Sequence, residues 1–240
     1  WRLCAPSPED MIAPIRSRCR HRGLRIPTAT AVADLLVRES VATPEVALEA
    51  ARAAQAHIGL ARALARDPQM RERRRAIITA PASVRSVGEA VMAADRLLET
   101  AKAQADAQVS ERNAREKAEL LRQLGMDEGE SATKASRTMI RQLEEDQKRR
   151  SKRALTDAID RALIDLLAIY RDVLMVQVGG DGELINTDLS DLVHEIAQDS
   201  TPRQTLARVD HIETARKRLV SNGNPLLVLE DMAISLRPQA

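Results

Sequence analysis

The sequence of 240 residues contains no phenylalanine, one tryptophan and one tyrosine. A core without phenylalanine must be built from aliphatic side chains, and this favours packed helices because strands are enriched in aromatic and β-branched residues. The two cysteines, Cys4 and Cys19, are too few for a four-thiolate zinc site and lack a C-x-x-C spacing. No apolar run is long enough to cross a bilayer, and no signal peptide opens the chain. We therefore expect a mainly helical protein of the reducing cytoplasm, without contact to a membrane.

The charge is nearly balanced, with 37 lysines and arginines against 35 acidic residues. This balance argues against a nucleic-acid binder that works by bulk charge, although local basic patches remain. Two basic clusters, residues 71–75 and 148–153, have the side chains needed for phosphate contacts. Neither is interleaved with aromatic residues, so base stacking is unsupported. A solvated helix face is the favoured interpretation of both.

Breaks in composition divide the chain into three parts. Residues 1–27 contain a proline-acidic turn and a short helix, between short strands predicted at residues 1–5 and 19–26. Residues 28–69 have the spacing and start signals of three short helices. Residues 70–240 show long helical periodicity.

Helix start and stop signals refine this division. In the middle part, Thr28 or Thr30 can cap the first helix, Pro44 occupies a first helical position and Asp67-Pro68 marks a boundary. In the last part, one helix is predicted from about 84 to 118 and another, after a break at 125–129, up to Val178. Further helices are predicted near 188–198, from Pro202, and from Pro225. The sequence Asn222-Gly-Asn-Pro225 predicts a stop at Gly223 and a restart capped by Asn224.

Few residues have the spacing of a catalytic or metal site. The four histidines show no ligand spacing, and Gly179-Gly-Asp-Gly182 lacks the Lys-Ser/Thr of a phosphate loop. Glu144-Glu-Asp146 is typical of a helix face, because adjacent residues do not face each other. No Ser-His-Asp or Cys-His arrangement is evident, so interaction is favoured over catalysis.

One string does carry a specific resemblance. LCAPSPEDMIAPIRSRC, residues 3–19, resembles the clamp-loader branch of the AAA+ ATPases, in which a strand, a proline-acidic turn and a helix end in Ser-Arg-Cys. In that family the arginine of the motif reaches the γ-phosphate of ATP bound to a neighbouring subunit. The resemblance therefore implies that Arg18 is a catalytic arginine finger acting in trans.

Two departures from the family pattern indicate a non-hydrolysing member. The sensor-1 position falls at Ala5 or Pro6, which have no side-chain donor. The string Ala56-His-Ile-Gly-Leu-Ala61 places Gly59 where hydrolysing subunits have a sensor-2 arginine, and Arg62 lies three residues further on. A subunit that offers an arginine but lacks both sensors would assist hydrolysis in a neighbour.

The C-terminal part supports the same family. Residues 161–174, Asn186 and residues 222–230 resemble the helical collar domain of a clamp-loader subunit, whereas the Ala/Arg/Glu-rich stretch at 84–150 is the least diagnostic. The implied domains are the end of an AAA+ α/β domain (1–27), a three-helix lid (28–69) and a helical collar (70–240). Because the chain begins at Trp1 in what resembles the middle of a domain, we expect it to be a C-terminal fragment.

The resemblance implies a scaffold subunit in a replicative clamp loader. Its partners would be the ATP-hydrolysing subunits, the clamp-opening subunit, the sliding clamp and primed DNA. The chain itself would bind no cofactor and have no activity alone, and ATP and Mg²⁺ would be bound by neighbours. Two alternatives remain: a hydrolysing subunit without its P-loop, and an unrelated helical interaction protein that binds DNA through residues 148–153. The latter predicts no strands near residues 1–5 and 20–26.

Overall fold

A computed structural model describes residues 3–5, 8–55, 57–125 and 134–237, and this part of the chain contains helices and no strand. A 3₁₀ helix at Pro8–Asp10 and a single-turn helix, α1 (Ala13–Arg16), come first. The remaining helices follow in order: α2 (Ala29–Arg38), α3 (Pro44–Ala53), α4 (Ile58–Arg66), α5 (Pro68–Ser83), α6 (Val87–Gln123), α7 (Lys134–Gln177), α8 (Ser190–Gln198), α9 (Pro202–Val220) and α10 (Pro225–Leu236). The mainly helical fold class is confirmed.

Strands predicted at residues 1–5 and 19–26 are absent from the described part of these segments. Residues 3–5 and 19–28 are irregular, and Trp1 and Arg2 lie outside the described residues. A strand is stable only when its backbone pairs with a second strand. None of the described residues offers such a partner, so the α/β part of the prediction is not supported.

Helices α2, α3 and α4 pack into a small bundle, as the sequence predicts. The hydroxyl of Thr28 accepts a hydrogen bond from the Ala31 amide and caps α2, and Pro44 occupies the first turn of α3. The core of this bundle is rich in alanine, with Val32, Leu36 and Leu64 as its larger members. Small side chains allow short helices to approach closely and bury their backbones together.

Helix α5 was not assigned from the sequence, although its start at the Asp67-Pro68 boundary was identified. Asp67 caps it, since its carboxylate accepts from the Gln69 amide, and Pro68 is its first residue. The predicted helix from 84 is in fact α6, which begins after Ser86 and continues to Gln123. A capping box fixes that start: the Glu89 amide donates to the Ser86 hydroxyl, and the Glu89 carboxylate accepts from the Ser86 amide.

Helices α6 and α7 form a long antiparallel hairpin. Near its base, the stripe of α7 with Ile159, Leu163 and Leu166 is buried in the larger core, with α6 and α9 as its main packing partners. Further out, Ala105, Val109 and Ala154 form a separate, smaller core. The outer part of the hairpin therefore depends on pairing between two helices alone.

The last helices complete the larger core. Thr201 and Gln204 form a capping box at the start of α9, and Asn224 caps α10 by accepting from the Leu226 amide. The predicted stop at Gly223 needs correction, because Asn222 takes the left-handed conformation with φ of 62°. Gly223 is required for another reason: a Cβ there would lie 2.9 Å from the Arg218 carbonyl oxygen. No helix in the described ranges is long and apolar enough to span a membrane.

Candidate interface site

Arg18 lies in an exposed segment ahead of the three-helix bundle. The segment leaves α1 through Ser17, whose hydroxyl donates to the Pro14 carbonyl at 3.3 Å, and the Arg18 amide donates to the Ile15 carbonyl. The Arg18 side chain is exposed. Within the described ranges, no group lies within hydrogen-bonding or ion-pairing distance of its guanidinium. The arginine is therefore held at a helix end with its charge free for another molecule.

Apolar side chains are exposed around Arg18. Ile12 is 65% exposed, Leu24 94% and Ile26 85%. Such exposure over a short stretch marks a surface that is covered in an assembly or by other parts of a protein. The segment has the properties of an interface, and the structure does not test the role of Arg18 itself. Of the residues at the sensor-1 position, Ala5 is exposed and Pro6 lies outside the described residues.

Arg62, the neighbour of the predicted sensor-2 position, is held by an acidic residue. Its guanidinium donates to both carboxylate oxygens of Glu39, at 2.7 and 2.9 Å from Nη2. This bidentate pair ties α4 to the end of α2. Gly59 lies one turn earlier, beside His57, whose Nδ1 accepts from the Leu60 amide and caps α4. The pair orients Arg62 toward Glu39.

The four arginines of the basic cluster at residues 71–75 all contact other groups of the chain. Arg71 donates to the Leu64 and Ala65 carbonyls and so closes the end of α4. Arg73 pairs with Asp67, and Arg75 with Asp188. Arg74 is almost buried and has the most elaborate contacts. Arg71 and Arg74 therefore join helices, whereas Arg73 and Arg75 lie on an exposed face with ion pairs, as the sequence interpretation expected for the cluster as a whole.

Arg74 is the centre of a buried polar network between α5 and α7. Its Nε donates to Asp165 at 3.1 Å and its Nη2 to the side-chain oxygen of Asn186 at 2.6 Å. Asp165 also accepts from Arg161, which donates to the Ala53 carbonyl at the end of α3. The network thereby joins the three-helix bundle, α5 and α7 as one unit.

The second half of the network fixes the loop after α7. Asp172 is fully buried and accepts from the amides of Ile185 and Asn186 and from the Asn186 side chain, at 2.8–3.0 Å. Sequence reasoning identified Asn186 only through the family resemblance, and missed Asp165 and Asp172. The signal was present in part: these acidic residues interrupt the apolar stripe of α7, where charge is costly unless paired.

The cluster at residues 148–153 is only partly engaged. Arg150 lies between the two helices and donates to Glu116 at 2.8 Å and to the Asn113 side chain at 2.7 Å. Arg149 pairs with Asp146, and Lys152 donates to the Asn222 side chain. The acidic run at 144–146 is likewise a surface of ion pairs, with Lys117, Arg141 and Arg149 as partners. This part of the hairpin is an ion-paired helix surface rather than a continuous basic face.

Cys4 and Cys19 are exposed free thiols. No cluster of three potential metal ligands exists among the residues that the structure describes. Among the residues singled out from the sequence, Arg18 is exposed and lies in the segment ahead of the three-helix bundle.

Comparison with known proteins gives a partial match. The chain is 36% identical over 72 residues to the DNA polymerase III subunit delta' of Bacillus subtilis (strain 168). The matched stretch covers 30% of this chain and 22% of that protein. The chain thus matches about a fifth of its relative's length. No family model matches the chain. No solved structure matches it. The partial match supports a distant relationship between this chain and a clamp-loader subunit.

Proposed function

We propose that this chain corresponds to the C-terminal part of a delta-prime subunit of a bacterial DNA polymerase III clamp loader, with a role in DNA replication in the cytoplasm. The observation that carries the proposal is the 36% identity to a delta' subunit. The helical architecture fits, because three short helices precede a larger helical domain in the expected order. In this assignment α2–α4 are the lid and the helices from α5 onward are the collar.

The chain would act as a scaffold between gamma/tau-type subunits and the delta subunit. A scaffold must transmit force without bending, and the polar contacts between the lid and the collar suit this purpose. Arg161 reaches from α7 to the Ala53 carbonyl, and Arg52 on α3 pairs with Glu183 in the loop after α7. The complex would open the sliding clamp and place it on primed DNA.

Arg18 would complete the ATP site of a neighbouring subunit. A fixed guanidinium stabilises the negative charge that develops on a transferred phosphoryl group. ATP and Mg²⁺ would be held by the neighbour, and this chain would bind no cofactor. The free charge of Arg18 and the exposed apolar residues around it support placement at a subunit boundary.

The test is Arg18→Ala in the full-length protein within a reconstituted loader. We expect assembly to persist, whereas DNA-stimulated ATP hydrolysis at the adjacent site should fall strongly, since arginine fingers contribute factors of about 10³–10⁵ in GTPases. Arg22→Ala is a matched control, because Arg22 is also exposed in the same segment. Unchanged hydrolysis in the assembled Arg18→Ala loader would refute the arginine-finger role.

The first alternative is a hydrolysing gamma/tau-type subunit, and the sequence upstream of Trp1 would distinguish it from the proposal. An intact G-x-x-x-x-G-K-[ST] there would favour it. The second alternative, a helical interaction protein that binds DNA through residues 148–153, is favoured by one observation, the absence of strands in the described parts of 1–5 and 20–26. Salt-dependent DNA binding that is lost in a Lys148→Gln/Arg153→Gln variant would support it.

A further inference from the structure

A small apolar cavity opens between α5, α6, α7 and α10. It has a volume of about 220 Å³. Its floor contains buried Leu166, Met232 and Leu236, and its walls contain Ile77 and Leu97. Small-molecule sites generally measure about 300–1,000 Å³, whereas an apolar cavity of about 150 Å³ can hold a benzene ring. The size therefore suits one large apolar side chain rather than a whole metabolite.

Two arginines lie at the rim of this cavity. Arg73 shares its charge with Asp67 at 3.2 Å. Arg96 on α6 is exposed and lines the same opening, and within the described part of the chain its guanidinium has no carboxylate or carbonyl partner. An apolar opening beside an unneutralised arginine is complementary to an apolar side chain with a neighbouring carboxylate.

Pro81 interrupts the backbone hydrogen bonding of α5 in the wall of the cavity. It lies inside α5 and has no amide hydrogen, so the Ile77 carbonyl cannot receive the usual hydrogen bond from residue 81. Both residues line the cavity.

We propose that this cavity docks a segment of a partner protein in which an aromatic or leucine side chain is followed by an aspartate or glutamate. The apolar side chain enters between Ile77 and Leu97, and the carboxylate faces Arg96. Buried apolar anchors of this kind dominate the binding energy of protein interfaces. The proposal concerns a face formed by α5, α6 and α10 and does not depend on the role of Arg18.

The experiment uses the whole chain with ¹³C-methyl methionine, because Met232 reports on the floor of the cavity and Met139 on the distant part of the hairpin. The probe is N-acetyl-Phe-Asp-amide, compared with N-acetyl-Phe-Asn-amide and N-acetyl-Ala-Asp-amide. We expect saturable shifts of the Met232 methyl with N-acetyl-Phe-Asp-amide. The asparagine peptide should bind about threefold more weakly, and the alanine peptide should cause no saturable shift.

Arg96→Gln should remove the preference for aspartate, whereas Arg122→Gln, an exposed arginine at the far end of α6, should retain it. Neither variant should disturb folding, since both side chains are exposed. The proposal is wrong if Met232 shows no saturable shift, if the alanine peptide binds equally well, or if the aspartate preference survives Arg96→Gln.

Discussion

Two arginine-rich stretches of this chain have similar sequences and opposite environments. Residues 16–25 contain five arginines, all exposed in the segment that precedes the three-helix bundle. Residues 71–75 contain four, and each forms a hydrogen bond or an ion pair with a carbonyl or a carboxylate of the same chain. The difference arises from what surrounds each stretch: α5 packs between the small bundle and α7, whereas α1 is too short to bury a face. Arginine content alone therefore does not distinguish a structural bracket from an interface.

The largest expected effect is the difference in stability between substituting an arginine of residues 71–75 and substituting one of residues 16–25. Arg74→Ala should lower the free energy of unfolding by roughly 3 kcal/mol, because it removes one of the two cationic partners of buried Asp165 and the donor to the Asn186 side-chain oxygen. Arg18→Ala should change it by less than about 0.5 kcal/mol, as is usual for exposed positions. Urea unfolding followed by circular dichroism measures both. Equal losses of stability in the two variants would contradict a structural role for Arg74 and an interface role for Arg18.

A third kind of arginine environment predicts a pH effect. Arg208 is buried and lies 5.8 Å from the ring centre of Tyr170. Burial raises the pKa of the Tyr170 hydroxyl to about 12, although the charge of Arg208 opposes this shift. Tyr170 is the only tyrosine in the sequence, so its absorbance near 295 nm should titrate about two pH units above that of a free tyrosine.

The same shift affects stability at alkaline pH. The folded state holds the tyrosine proton more tightly than the unfolded state. The stability that the neutral, buried tyrosine contributes is therefore complete below pH 10 and is lost as the pH rises from about 10 to 12. The loss should approach about 3 kcal/mol, and Tyr170→Phe should lack this component. A tyrosine that ionises near pH 10 in the folded protein would contradict the buried environment.

The smallest expected effect concerns the exposed hairpin. Hydrogen bonds from Arg150 and Arg112 lower the pKa of Glu116 to about 2, so this pairing should persist in mild acid and be lost only as the pH falls through that value. Glu116→Gln should speed amide exchange in the outer parts of α6 and α7 and leave the base of the hairpin unchanged. Exchange measured by mass spectrometry at pH 7 tests this, with Glu111→Gln as the control on the same helix. Similar exchange in both variants would show that Glu116 does not join the helices.

Much of the helical fold could be predicted because its signals are local. Caps at Thr28, Asp67 and Thr201 and prolines in first turns fix helix starts within a few residues of sequence. The start of α6 was predicted to within three residues, whereas α5 was not assigned as a separate helix between Pro68 and Ser83. The strands were wrong because pairing depends on a distant segment, which no local pattern supplies.

The candidate site likewise has a part that the sequence predicted and a part that depends on packing. Arg18 was identified from its motif, and its exposure is compatible with the predicted role, which stays a prediction. The sequence by itself determined a helical, aliphatic chain with a Ser-Arg-Cys motif and two basic clusters. Only the tertiary structure decided that Arg74 is nearly buried between Asp165 and Asn186, while Arg18 and Arg96 are exposed and find no side-chain partner among the described residues. The reason is that helix signals act within one turn, whereas the partner of a charged side chain lies 91 residues away for Arg74 and Asp165 and is set by packing.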